Sequence, residues 1–231
     1  MLDIRNGVVV RGVGGRRAEY RPIVSQLTAS TEPVEVARAL IGVCRPRELY
    51  LADLDAIQGA TPALHVYKQI LELGVELWVD AGIRDSKSAR RIAEFGCHVV
   101  AGLETVPSAE VLREIVSVIG GNWSVFSLDL RDGKPLHDWD VDAMSIAQQA
   151  IGCGITRLIV LDLARVGVGI GTGTEALCRE IASANPEVDV IAGGGVNGTD
   201  DLNRLAECGV KGVLVASALH DRRLPERRTE Y

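Results

Sequence analysis

The chain has 231 residues, of which 47% are hydrophobic and 24% charged, and a formal charge of −6. That balance suits one sizeable soluble core in the size range of a single α/β barrel. The acidic charge and the lack of a basic stripe interleaved with aromatics argue against nucleic acid as a partner. No apolar run reaches membrane-spanning length and no charged-then-apolar leader opens the chain, which argues against a membrane and for the cytoplasm.

From the amino terminus onward, short apolar runs rich in β-branched residues alternate with stretches of helical period. A short first strand is expected around Asp3, followed by strands at 49–54 (LYLADL), 75–80 (VELWVD), 98–102 (HVVAG), 123–130 (WSVFSLDL), 157–163 (RLIVLDL), 188–193 (VDVIAG) and 212–217 (GVLVAS). Helix candidates fill the gaps: 33–44, 62–74, 86–96, 108–120, 141–152, 174–185 and 199–209. Several open on a Ser or Thr suited to capping and close on a Gly suited to the left-handed end position. The alternation predicts a (β/α)8 TIM barrel of the α/β class, one domain over residues 1–231.

The chain also restates itself. LDIRNG (2–7) returns as LDLRDG (128–133), ADL (52–54) as LDL (161–163), and IRDSKSARRIAEFG (83–96) as VNGTDDLNRLAECG (196–209). Two half-barrels, about 1–120 and 121–231, follow from this two-fold repeat. Twelve residues remain after Leu219, too few for a full eighth helix, so that helix is expected to be reduced or missing. The barrel surface so bared suits a second copy, hence a homodimer.

In such a barrel the carboxyl ends of the strands carry the chemistry and the opposite rim serves stability. Asp3 and Asp129, one per half, would face each other across that rim as an acid/base pair if their environments separate their pKa values. The competing reading is that each only caps its turn. Gly194 and Gly195, between a strand and a helix, would let backbone N–H groups approach a phosphate, with Ala216 and Ser217 after the next strand completing the site. A tight turn asks for the same glycines. The segment 164–174, with Gly167, Gly169, Gly171 and Gly173, is either a loop closing over a ligand or a plain connector. The long stretch 12–30 carries Arg16, Arg17 and Arg21, suited to an anionic substrate or simply to a solvated loop.

Cys44, Cys97, Cys153, Cys178 and Cys208 form no CxxC pair and read as buried, reduced thiols. His65, His98, His137 and His220 show no ligand spacing with them, so no metal and no cofactor are expected.

Taken together, LDIRNGVVVR (2–11), VDAGIRD (79–85), SLDLRDG (127–133), LDLARVG (161–167), AGGGV (192–196) and VLVASAL (213–219) resemble the histidine-biosynthesis barrels of the HisA/HisF type, nearest to the ribotide (ProFAR) isomerase branch. The resemblance implies that Asp3 is the general base and Asp129 the general acid of an aldose–ketose isomerisation. It implies that Gly194, Gly195, Ala216 and Ser217 hold a phosphate. Arg84 matches an arginine after the third strand, the alternative being a helix-start salt bridge. Trp139 matches a tryptophan that stacks on substrate, the alternative being a packing anchor.

Departures from the family pattern are as informative. The first-half phosphate site, which in the family reads VGGGVR and VVVGS, here reads VDAGIR (79–84) and VVAGL (99–103). Asp80 stands for a Gly and Leu103 for a Ser, with Glu104 adjacent. A carboxylate there repels a phosphate dianion, or is neutralised by Arg84; either way a substrate with a single phosphate is expected. In the second half, RDGT becomes RVGV (165–168) and a Thr becomes Leu161. Asp80 and Gly167 complete the expected substrate-binding set. The rival readings are a genuine ProFAR isomerase, a cyclase (which would need a lysine near the pair) and a non-catalytic phosphate-ligand barrel. These departures are similar to those of a divergent branch associated with methane- and one-carbon-metabolising microbes, which implies a place near a pterin-type one-carbon cofactor pathway.

Overall fold

The computed structural model describes residues 1–137, 139 and 141–225. Asp138 and Asp140, the neighbours of Trp139, and the arginine-rich tail 226–231 lie outside the described residues. The strands, in chain order, are β1 (Leu2–Arg5), β2 (Val8–Arg11), β3 (Arg21–Pro22), β4 (Glu48–Asp53), β5 (Glu76–Asp80), β6 (His98–Gly102), β7 (Ser124–Arg131), β8 (Lys134–Pro135), β9 (Arg157–Asp162), β10 (Asp189–Gly193) and β11 (Gly212–Leu214). Eight of them run parallel and neighbour one another in the order β1, β4, β5, β6, β7, β9, β10, β11. The Met1 nitrogen donates to the Val215 carbonyl at 2.7 Å and draws the two edges of this curled sheet together.

The helices are α1 (Pro33–Cys44), α2 (Leu54–Ile57), α3 (Leu64–Leu71), α4 (Ser86–Ala93), α5 (Ala109–Ile119), α6 (Ala143–Gly152), α7 (Glu175–Ala184), α8 (Thr199–Glu207) and α9 (Ser217–His220). This is the expected (β/α)8 barrel, and its eighth helical position holds the single turn α9. Among the described residues no helix is long and apolar enough to cross a membrane. Acidic side chains supply the best N-caps: Asp85 accepts from Ser88 N at 2.7 Å and Asp142 from Ser145 N at 2.8 Å. Thr174, expected as a cap, makes no side-chain capping bond.

Side chains alternate across each strand, so every barrel strand feeds two cores. Val99, Phe126, Leu128, Val160 and Val190 point outward and pack against the helices. Tyr50, Trp78, Val100, Val125, Ile159 and Ile191 point inward and fill the barrel. Four cysteines are buried and Cys44 is half-buried, and among the described residues none of the five forms a disulfide.

The repeat has a structural counterpart. LDIRNG and LDLRDG each form a barrel strand, a tight turn and a returning antiparallel strand, β1–β2 and β7–β8. The turn residues adopt matching left-handed conformations, with φ of 50° and 76° at Asn6 and Gly7 and 52° and 76° at Asp132 and Gly133. Asn-Gly and Asp-Gly suit such turns because both central residues need positive φ. These returning strands, β3 included, were not among the sequence expectations: residues 8–11 were given no element, and 12–30 read as a loop. They are too short to show a period.

A carboxylate site at the mouth of the barrel

The inward parity of β1, β5 and β7 brings three aspartates into one cavity at the carboxyl ends of the strands. Asp3, Asp80 and Asp129 line it with Tyr50, Glu104 and Arg17. Asp129 accepts from Ser127 Oγ at 2.7 Å and, at 3.3 Å, from the Glu104 backbone N–H. Asp80 accepts from Gly82 N at 3.0 Å and from the Tyr50 hydroxyl at 3.4 Å. The Asp3 carboxylate is 9% exposed and accepts no hydrogen bond from the described residues. Turn-capping therefore does not account for Asp3. The capping role falls to Asp53, which accepts from Ala56 N at 3.1 Å, and to Asp162, which accepts from Ala164 N at 3.0 Å.

Gly102 makes the convergence possible. A Cβ at that position would lie 3.0 Å from Asp129 Oδ2 and 3.6 Å from Asp80 Oδ2, so the two carboxylates meet over a residue with no side chain. Burial is the main reason all three acids hold their protons more tightly than usual. It raises Asp129 to about 7, with Asp80 adding like-charge repulsion. It raises Asp80 to about 6, with Glu104 adding to the rise and Gly82 N–H and Arg17 opposing it. It raises Asp3 to about 6, opposed by the Met1 amino group and Arg17. The tyrosines respond in the same direction: burial and the nearby acids push Tyr20 up to about 12 and Tyr50 well above its ordinary value. An acid near 7 facing another near 6 can exchange protons with a bound molecule at neutral pH.

Across this cavity runs a strap. Arg17, from the long 12–30 stretch, reaches Glu104 with both arms of its guanidinium at 2.7 and 2.5 Å. Its backbone carbonyl is held by Arg5 Nη1 at 2.7 Å. Glu104 and Arg17 stand 87 residues apart in the chain, so sequence alone offers no signal of the pair.

Gly194, Gly195, Ala216 and Ser217 line an adjoining cavity that also touches Gly167, and Asp3 borders both cavities. The glycines there answer to packing. A Cβ on Gly194 would lie 2.7 Å from the Asp162 carbonyl, and one on Gly195 2.4 Å from the Gly171 carbonyl. The 164–174 segment is tied in from both sides: Gly14 N donates to Val166 O at 2.7 Å and Gly171 N to Gly195 O at 3.0 Å. Two cations, Arg11 and Arg223, edge this cavity and share Asp221. His220 Nδ1 meets Ser25 Oγ at 2.9 Å, and burial lowers the imidazole to about 4, so His220 is neutral.

Two of the expected substrate-binding residues stand elsewhere. Arg84 donates to the carbonyls of Gly82 and Ile57 and lines neither cavity, and its guanidinium makes no bond to Asp80. Trp139 donates to Val106 O at 3.2 Å and tilts against Phe126 at 5.5 Å, on the outer core. The Arg84–Asp80 salt bridge raised from the sequence is absent from this geometry, and Trp139 takes the packing role raised as the alternative to stacking on substrate. Tyr50 and Ser127 were missed, and Glu104 was noted beside Leu103 without its pairing to Arg17. Their signal was strand parity, since Tyr50 and Ser127 fall on the inward face.

The fold and this rim define a (β/α)8-barrel protein whose mouth holds a buried group of carboxylates beside a glycine-turn cavity. The family model for histidine biosynthesis proteins matches residues 1–225, and the chain belongs to that family. An uncharacterized protein of Methanocaldococcus jannaschii is 29% identical over 223 residues, covering 95% of this chain and 91% of that one. Relatives named as phosphoribosyl imidazole-4-carboxamide isomerases, the ProFAR isomerases, are similar too. That of Chlorobium luteolum is 31% identical over 241 residues, covering 100% of this chain and 91% of its own. That of Deinococcus radiodurans is 32% identical over 184 residues, covering 77% and 76%.

Proposed function

We propose that the protein is an isomerase of the aldose–ketose type acting on a phosphorylated substrate through an acid/base pair. Asp3, unpartnered and ionised first, removes a proton beside a carbonyl or imine. Asp129, protonated to higher pH, donates to the opposite side. The observation that carries this reading is that Asp3 and Asp129 line one cavity as buried carboxyls held at about 6 and about 7. Gly194, Gly195, Ala216 and Ser217 bind the phosphate, and the substrate has one phosphate because Asp80 and Glu104 occupy the corresponding place in the first half. The named relatives support an isomerase and make ProFAR the first substrate to try.

The test is turnover of ProFAR and of single-phosphate sugars by the native protein, Asp3→Asn and Asp129→Asn. Turnover lost in both variants, with binding kept, supports the pair. Turnover kept in either removes that residue from the mechanism. Ligand binding without turnover by the native protein, unaltered in both variants, would instead favour a non-catalytic phosphate-binding barrel. Efficient turnover of ProFAR would remove the single-phosphate restriction.

A further inference from the structure

We infer that the end of the cavity formed by Asp80, Asp129 and Glu104 receives a positively charged amino group, so that the substrate is an amine-bearing phosphate monoester. The inference rests on the phosphate reading above and extends it to the other end of the molecule. Four carboxylates, Asp3, Asp80, Asp129 and Glu104, line this cavity. Both cations among its lining residues are engaged: Arg17 has its fork committed to Glu104, and the Met1 amino group, lowered to about 6 by burial, donates to the Val215 carbonyl. The oxygens Asp80 Oδ2 and Asp129 Oδ2 converge over Gly102, and each has only a long contact, 3.4 Å from Tyr50 and 3.3 Å from Glu104 N. Both retain capacity for a charge-assisted donor.

Asp3 is the independent observation. It approaches from β1, outside that cluster, is nine-tenths buried, and accepts no hydrogen bond from the described residues, yet it lines the same cavity. An ammonium offers three donors, enough to engage an oxygen of Asp80, of Asp129 and of Asp3. A metal ion is the other cation with such needs. Among the described residues, however, no group of three acidic, His or Cys side chains is close enough to hold one. Asp3 and Asp80 also hold their protons to about 6, so a bound cation drives protons off them near neutrality.

The experiment is titration calorimetry of the full chain at pH 7 with inorganic phosphate, then with ω-aminoalkyl phosphates of increasing length and the matching ω-hydroxyalkyl phosphates. Buffers of different ionisation enthalpy report protons released. At one chain length the amine is expected to bind at least about tenfold more tightly than its hydroxyl partner and to release protons. Asp80→Asn and Glu104→Gln are expected to erase that preference while leaving inorganic phosphate affinity as it was. Equal binding of amine and hydroxyl at every length, with phosphate bound, overturns the inference and leaves the phosphate reading standing. Failure to bind phosphate or any monoester overturns both. A preference that survives in both variants, or that added Mg2+ confers on the hydroxyl compounds, overturns the placement of the amine.

Discussion

Replacing Asp80 by Asn should make the protein more stable at pH 8 and less sensitive to pH. The Asp80 carboxyl moves from an ordinary 3.8 to about 6 on folding, chiefly because burial penalises its charge. An acid whose folded value is raised contributes most stability when protonated in both states, below about 4, and loses that contribution as pH climbs through about 6. The full shift corresponds to about 3 kcal/mol against the folded state at pH 8. Asp80 keeps a half-open edge, and solvent screening there reduces the figure to about 1–2 kcal/mol. Asparagine keeps an oxygen for the Gly82 N–H and removes the charge beside Asp129. Urea unfolding of both proteins at pH 5 and pH 8 measures the effect: about half of the loss falls in that interval, so the native protein should lose more stability across it than Asp80→Asn by about 0.5–1 kcal/mol. The same substitution should move the alkaline fall in kcat/KM, set by Asp129 near 7 in the native protein, to lower pH, because Asp80 is second only to burial in raising Asp129. A variant no more stable than the native protein at pH 8, or one with an unmoved alkaline limb, would refute this account of the carboxylate cluster.

Four further substitutions probe the frame around the site. Gly195→Ala puts a side chain 2.4 Å from the Gly171 carbonyl at φ +82°, and should cost at least about 2 kcal/mol in thermal or urea unfolding together with phosphate affinity. Tyr67→Phe removes the 2.5 Å bond from a fully buried hydroxyl to Asp53, and should cost about 1–3 kcal/mol with kcat unchanged, because neither residue lines the central cavity. Gly7→Ala and Gly133→Ala each force alanine to φ 76° in open space and should cost the same, about 1 kcal/mol each; clearly unequal losses in parallel unfolding curves would argue against matched turns in the two halves.

Much of this molecule was legible in the chain because the signals are local. Apolar alternation located the eight parallel strands to within a few residues, and the two Asn-Gly/Asp-Gly turns showed the repeat. The long 12–30 stretch was legible only as a loop, although Val8–Arg11 and Arg21–Pro22 extend the sheet before and within it. Segments of two to four residues have too few positions to express a period. A reduced or missing eighth helix was expected, and that position holds the single turn α9.

The site divides along the same line. Asp3 and Asp129 stood out because they begin matching segments, and Asp80 because it replaces a glycine of the family pattern. Their pKa values could not be read from the chain, since burial and like charge exist only once β1, β5 and β7 stand in one barrel. Arg84 shows the limit most plainly. Beside Asp80 in sequence, its guanidinium turns to the Gly82 and Ile57 carbonyls, while Arg17, far off in the chain, crosses to Glu104. Residue type, turn chemistry and strand period are properties of a few consecutive residues, so the sequence by itself determined the barrel, its two halves and its principal acids. Which charges meet depends on register and closure across the whole sheet, and tertiary structure alone decided that Asp80 joins Asp129 and Asp3 and that Arg84 does not.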